Sequence, residues 1–335
     1  MDSLSQLALG AAVGVAVMGR RTALWKAALW GGVCGTLPDL DTFLSHGDAI
    51  RDMTFHRAES HALFWLSLAA PLLAWLVARL HGEQGQWKRW WLAVWLALVT
   101  HPLLDAMTVY GTQLALPFSD HPYGVGSIFI IDPLYTVPLL VGLTVALTRR
   151  HAGALRWNAA GLLLSTAYLG WSFAAQQHVA AFARASLAAE GVAVERLLVT
   201  PTPFNTVLWR VVAVTPEGYR EGFRSLFDRG PRIAFDHHPR GEALYEQLRG
   251  QWHVERMAWF TKGLFKVERQ GEHLRLTDLR MGQEPFYIFA FDVAEAAPGG
   301  PRPIVPRPAG RRAPTEPALA WLFGRMLDET LSPPR

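Results

Sequence analysis

Uncharged apolar stretches of helical length limit this chain more than any other feature. One of them, Ala62 to Ala78 in "ALFWLSLAAPLLAWLVARL", meets its first charge at Arg79. A bilayer crossing needs about 17–25 mostly apolar residues as helix. By that measure the sequence predicts six spans, at roughly 4–19, 23–37, 62–80, 90–106, 133–148 and 157–175. The expected fold class is therefore a polytopic α-helical membrane domain of about six transmembrane helices, followed by a soluble α+β domain. The boundary falls near residue 175, after which charges appear every few residues.

The basic residues set an expected orientation. Arg20 and Arg21, then Arg79, Lys88 and Arg89, then Arg149, Arg150 and Arg156 fall in loops that six spans place on one side. Positive loops mark the cytoplasmic side, and Trp87, Trp90, Trp91 and Trp157 flank them as interfacial aromatics do. This predicts a multi-pass protein of the bacterial inner membrane with its C-terminal domain in the periplasm. The start "MDSLSQLALGAAVG" has no basic segment before its apolar run and reads as a retained helix. The net charge of +4 comes without a basic block, so no nucleic-acid partner is expected. Cys34 is the sole cysteine and excludes an intramolecular disulfide.

On this topology the ionisable residues gather at one face. Asp39, Asp41, His56, His61, His101, Asp105, His121 and Asp132 all fall at its loops and helix ends. "HPLLD" places His101 and Asp105 four apart on one helix face, a spacing suited to two ligands of one divalent ion. "PDLD" follows with Asp39 and Asp41, either as ligands or as carboxylates that orient a ligand. His56 and His61 are five apart, so His61 is expected at the start of the next span and His56 in the loop. Ser60 is a candidate helix cap. Arg57 has the fork that matches a substrate anion, and Glu59 is a candidate general base. Two glycine pairs, Gly10/Gly14 and Gly31/Gly35, predict close helix approach that fixes the Asp39/Asp41 end.

In order, "LPDLD", "HRAESH", "HPLLD", "YG…PFS" and "SIFIIDPLY" resemble the bacterial inner-membrane metal-dependent hydrolases, also described as LexA-binding, inner-membrane-associated hydrolases. The resemblance covers about residues 1–175. It implies that Asp39 and Asp41 match the family's aspartate pair. His56, Arg57, Ser60 and His61 match its histidine–arginine motif, with Ala58 and Ala62 replacing a glycine and a serine. His101 and Asp105 match its His–x–x–x–Asp. Where members often carry an N-terminal histidine this chain has Gln6; either a ligand is missing or another group such as His121 takes its place.

The sequence thus predicts a metal-dependent hydrolase with one or two divalent ions, zinc or similar. Asp41, His61, His101 and Asp105 would hold the metal. Asp39 and His56 would serve a second ion or orient the ligands, and Arg57 and Glu59 would be catalytic. Its partners are the lipid bilayer and a lipid-linked ester or phosphoester. The alternatives are a membrane scaffold or sensor with a structural metal, and a transporter with an Asp/His relay.

Residues 176–335 predict strands through "ERLLVTPTPFNTVLWRVVAV", a helix in "EALYEQLRGQWHVERMAWFTKG" and a hairpin about Gln270–Gly271. A buried strand in "PFYIFAFDVA", a Pro-rich linker at about 297–314 and a closing helix in "ALAWLFGRML" complete it. His237 and His238 are a weaker metal candidate.

Overall fold

The computed structural model describes residues 1–149 and 153–334. Arg150, expected in a loop, lies outside the described residues. The chain forms two compact units: Met1–Leu44, His56–Phe173 and Pro203–Asn205 make the first; Ser45–Phe55, Ala174–Thr202 and Thr206–Arg335 make the second.

The first unit is helical: α1 (Ser3–Met18), α2 (Leu24–Thr36), then, after α3 (Ala49–Phe55) of the second unit, α4 (Leu63–Leu80), α5 (Trp87–Ala106), α6 (Pro133–Thr148) and the first half of α7 (Ala154–Ala189). Asp2 caps α1 by accepting from the amides of Leu4 and Ser5, and Asp132 caps α6 through Leu134. α1 and α2 meet on glycines. A Cβ on Gly10 would lie 2.2 Å from the Gly31 carbonyl oxygen, and one on Gly14 would lie 2.3 Å from that of Ala27. Only hydrogen fits there, so the two backbones touch. Ala11, Val15, Ala27, Leu66, Ala70, Ala74, Trp90, Ala93 and Ala97 fill the core around this pair.

The expected six transmembrane helices are corrected by the helix lengths and composition. Among the described residues, two helices are long and apolar enough to cross a membrane, Ser3–Arg21 and Leu63–Leu80. α2 has 13 residues and α6 has 16. At 1.5 Å per residue they reach about 20 and 24 Å, short of a hydrocarbon core of about 30 Å. α5 is long enough but opens on Lys88 and Arg89 and carries His101 and Asp105. α7 runs through Arg156, Asn158, Gln176, Gln177, His178 and Arg184. The expected bounds 23–37 and 133–148 match α2 and α6 closely, so it is the length of these helices that falls short. The periplasmic orientation required six crossings and loses its basis with them. α4 does expose Phe64, Trp65, Leu68, Leu72, Trp75 and Leu76.

The second unit is β-rich. β1 (Arg196–Pro201), β2 (Leu208–Thr215), β3 (Gly218–Ser225) and β4 (Phe235–His238) form one antiparallel sheet in that order. Helices α8 (Glu242–Leu248) and α9 (Trp252–Phe260) follow, then β5 (Phe265–Gln270) and β6 (His273–Asp278). The last two form the expected hairpin, with Gly271 at φ 63° in its turn. A short pair, β7 (Gly282–Gln283) and β8 (Phe286–Tyr287), leads to β9 (Ala290–Glu295) and β10 (Arg302–Pro308). The second sheet has the order β10-β9-β6-β5. The expected linker at 297–314 thus contains a strand. Pro303, Pro306 and Pro308 hid it, but β10 is an edge strand, where missing amide donors are tolerated. α10 (Thr315–Arg325) closes the unit. α3 packs here rather than with the first unit: Asp48 Oδ2 lies 3.0 Å from His253 Nε2, and Phe55 stacks on Trp252.

Candidate metal centre

Four side chains of the first unit converge. Pro38 lacks the amide that would continue α2, so the chain tightens into a 3-10 turn, Leu37–Phe43, that carries Asp39 and Asp41. A second 3-10 turn, Glu59–His61, delivers His61 just before α4. His101 and Asp105 lie one helical turn apart on α5. His61 Nε2 and His101 Nε2 are 3.1 Å apart. Asp39 Oδ1 is 3.5 Å from the first and 3.4 Å from the second. Asp105 Oδ2 is 3.3 and 3.4 Å from them. All four ligand atoms lie within 4.8 Å of one another. His61, His101 and Asp105 are fully buried, and Asp39 alone keeps a 22% exposed side chain.

The histidines are aimed from behind. His101 Nδ1 donates to the Gly35 carbonyl at 2.6 Å. Ser60 Oγ spends its proton on Asp41 Oδ2 at 2.6 Å, so it accepts from His61 Nδ1 at 2.8 Å. Each histidine therefore turns Nε2 toward the cage, the arrangement that supports metal-binding histidines. Asp41 Oδ2 also accepts from the Arg57 amide at 3.0 Å, and Oδ1 pairs with His56 Nδ1 at 2.8 Å. Thus Asp41 sits behind His61, and His56 sits behind Asp41. Burial opposes ionisation of both Asp39 and Asp41. Hydrogen bonds to His101 and His61 for Asp39, and to His56 and His61 for Asp41, outweigh it and hold both well below the usual carboxylate range. Burial likewise opposes charge on His61, but Asp105, Asp39 and Asp41 lift its pKa to about 9. The cage thus favours positive charge, and its four ligand atoms are a group that could hold a metal ion.

Arg57 is built into the same structure. Its Nε is 3.2 Å from Asp105 Oδ2, its Nη1 donates to Thr108 Oγ1 at 3.3 Å, and its guanidinium lies 4.9 Å from the Tyr110 ring centre. Its backbone is left-handed, φ 64°, a conformation that costs a non-glycine about 1–3 kcal/mol. Two hydrogen bonds hold it there: its amide to Asp41, and its carbonyl accepting from Gln113 N at 3.0 Å. Gln6 Nε2 donates to Asp105 Oδ1 at 3.1 Å and to the His101 carbonyl, so it supports the cage from outside. The Met1 amino nitrogen also contacts Asp105 Oδ1, and burial lowers its pKa.

Other candidates lie elsewhere. Glu59 is exposed, His121 is exposed with its ring against Tyr123, and Asp132 caps α6 while accepting from Tyr168. His237 and His238 are on β4 of the second unit. The structure adds the Gly35 carbonyl, Thr108 and Tyr110, which sequence spacing did not single out; the short motif "YG" was the only signal for Tyr110.

A family model described as YdjM inner membrane protein matches residues 1–179. The "Uncharacterized protein YfhP" of Bacillus subtilis (strain 168) is 29% identical over 155 residues, 43% of this chain and 46% of that protein. The match thus spans less than half of the curated relative's length. No solved structure matches.

Proposed function

This chain belongs to the YdjM inner membrane protein family, and on that premise we propose that it is a membrane-associated hydrolase dependent on one divalent metal ion, zinc or similar. The observation that carries the reading is the size and burial of the four-atom cage. A tetrahedral ion at the usual zinc distances of about 2.0–2.2 Å needs ligand atoms about 3.3–3.6 Å apart. The five ligand separations that involve a histidine are 3.1–3.5 Å. Calcium, at about 2.3–2.6 Å with six or more oxygens, suits neither the spacing nor the two imidazoles.

His61 and His101 would hold the ion through Nε2, and Asp105 and Asp39 through one oxygen each. When bound, the ion would polarise the scissile group and lower the pKa of water toward neutrality. Ser60 and Asp41 keep His61 in register, and Gly35 does the same for His101. Arg57 steadies Asp105. Asp39, the one exposed ligand, marks the edge that water and substrate reach, and is the carboxylate placed to accept a proton there. Glu59 receives no role.

One observation favours a second reading. Four protein ligands close a tetrahedron, as structural zinc sites do, whereas catalytic sites keep a position for water. Turnover separates the two. The chain purified in detergent should hydrolyse generic ester or phosphoester probes, lose that activity on chelation and regain it on adding zinc. A metal-loaded protein without turnover across such a panel would favour the structural site.

A further inference from the structure

We infer that the scissile group is an uncharged carboxylic ester in an amphiphile with an acyl chain, and not a phosphoester. This rests on the hydrolase reading above.

The first ground is the use made of Arg57. Its Nε faces Asp105, its Nη1 is bound to Thr108, and its flat face lies over Tyr110. The side chain is 7% exposed. A guanidinium so engaged is a fixed counter-charge to a ligand, and a phosphate would have to break the Asp105 pair to use its fork.

The second ground is charge balance. Asp39, Asp41 and Asp105 bring three negative charges into the buried centre, and Arg57 brings one positive charge. Carboxylates therefore outnumber the fixed guanidinium around the ion, and Asp39 stands at the exposed edge where a phosphoester anion would have to enter, whereas an ester carbonyl needs only a polarising contact.

The third ground is the segment that carries the exposed ligand. Leu40, next to Asp39, is 54% exposed; Phe43, the last residue of the turn, and Leu44, which follows it, are 85% and 62% exposed. Three large apolar side chains on the segment that carries the exposed ligand suit an acyl chain in a protein of a membrane family. In the reaction, water adds its oxygen to the acyl carbon and the ester C–O bond breaks. One water proton goes to the departing alkoxide, and the acid product keeps the other or releases it.

The test uses the zinc-loaded full chain in detergent micelles, with metal content measured in the same sample. The probes are 4-nitrophenyl esters of two-, four- and eight-carbon acids, bis(4-nitrophenyl) phosphate and 4-nitrophenyl phosphate. The His101→Ala protein sets the background. The inference expects metal-dependent ester turnover whose kcat/KM rises at least about tenfold from the shortest to the longest acyl chain, with both phosphoesters at background. Phosphoester turnover equal to or above ester turnover would overturn the uncharged substrate. Ester turnover independent of chain length would overturn the amphiphile. Background rates on every probe by fully metallated protein would instead overturn the hydrolase reading itself.

Discussion

His101 Nδ1 donates to the Gly35 carbonyl at 2.6 Å, and Gly35 is also where α2 presses on α1. A Cβ on Gly35 would lie 2.7 Å from the Gln6 carbonyl oxygen and 3.0 Å from Gly10 Cα. Helix packing and ligand orientation therefore meet at one residue. Gly35→Ala must push α2 away from α1 and carry the carbonyl with it. The expected outcome is a loss of metal affinity of about tenfold or more, though no ligand changes. A metal titration monitored by competition with a chelating dye measures it, and unchanged affinity would disconnect the glycine contact from the site.

Asp41 acts on His61 through Ser60 and directly, with its Oδ2 3.5 Å from His61 Nδ1. Asp41→Asn removes the carboxylate while keeping its volume. Metal affinity should drop about 10–100-fold, the range seen when groups that orient ligands are lost, but binding should persist. Complete loss of the ion would make Asp41 a ligand instead.

In the second unit, Arg210 is buried on β2. It pairs with Glu221 at 2.6 Å, donates to the Leu279 carbonyl at 2.7 Å and reaches Tyr287 Oη at 3.1 Å. Arg210→Met removes the guanidinium that faces the buried Glu221 carboxylate, at about 3–5 kcal/mol. Calorimetric unfolding should show this, and adding Glu221→Gln should recover part of it. A silent Arg210→Met would mean that the pair contributes nothing net.

Asp48 links α3 to α9. Its Oδ1 accepts from Ile50 N and Arg51 N, and its Oδ2 lies 3.0 Å from His253 Nε2. Burial works to raise its pKa, but the Arg51 amide and His253 outweigh it, so the folded value is lowered. A lowered carboxylate pKa stabilises the fold above the unfolded value of about 3.9. That contribution is lost as pH falls through the folded value. Compared with Asp48→Asn, the wild-type chain should melt higher at pH 6 and lose its advantage near pH 3. An advantage of equal size at both pH values would exclude this linkage.

The site was more legible than the fold. His101 and Asp105 could be placed together because one helical turn separates them, whatever the helix packs against. Asp39 and Asp41 could be placed near them, but which one faces the ion depends on the 3-10 turn after Pro38, a geometry that composition does not encode. Arg57 looked like an anion holder because its partners, Asp105, Thr108 and Tyr110, lie about fifty residues away in sequence. The expected spans failed for a different reason. Apolar content marks burial as readily as membrane contact, and helices as short as α2 and α6 can be apolar throughout without being long enough to cross.

The central claim is that His61, His101, Asp39 and Asp105 bind one divalent ion. Elemental analysis of the purified full-length chain, supplied with zinc and then desalted, tests it most directly. The account predicts about one ion per chain in the wild type and next to none in the folded His61→Ala/His101→Ala double variant. Equal metal in the two proteins, or none in either, would contradict it.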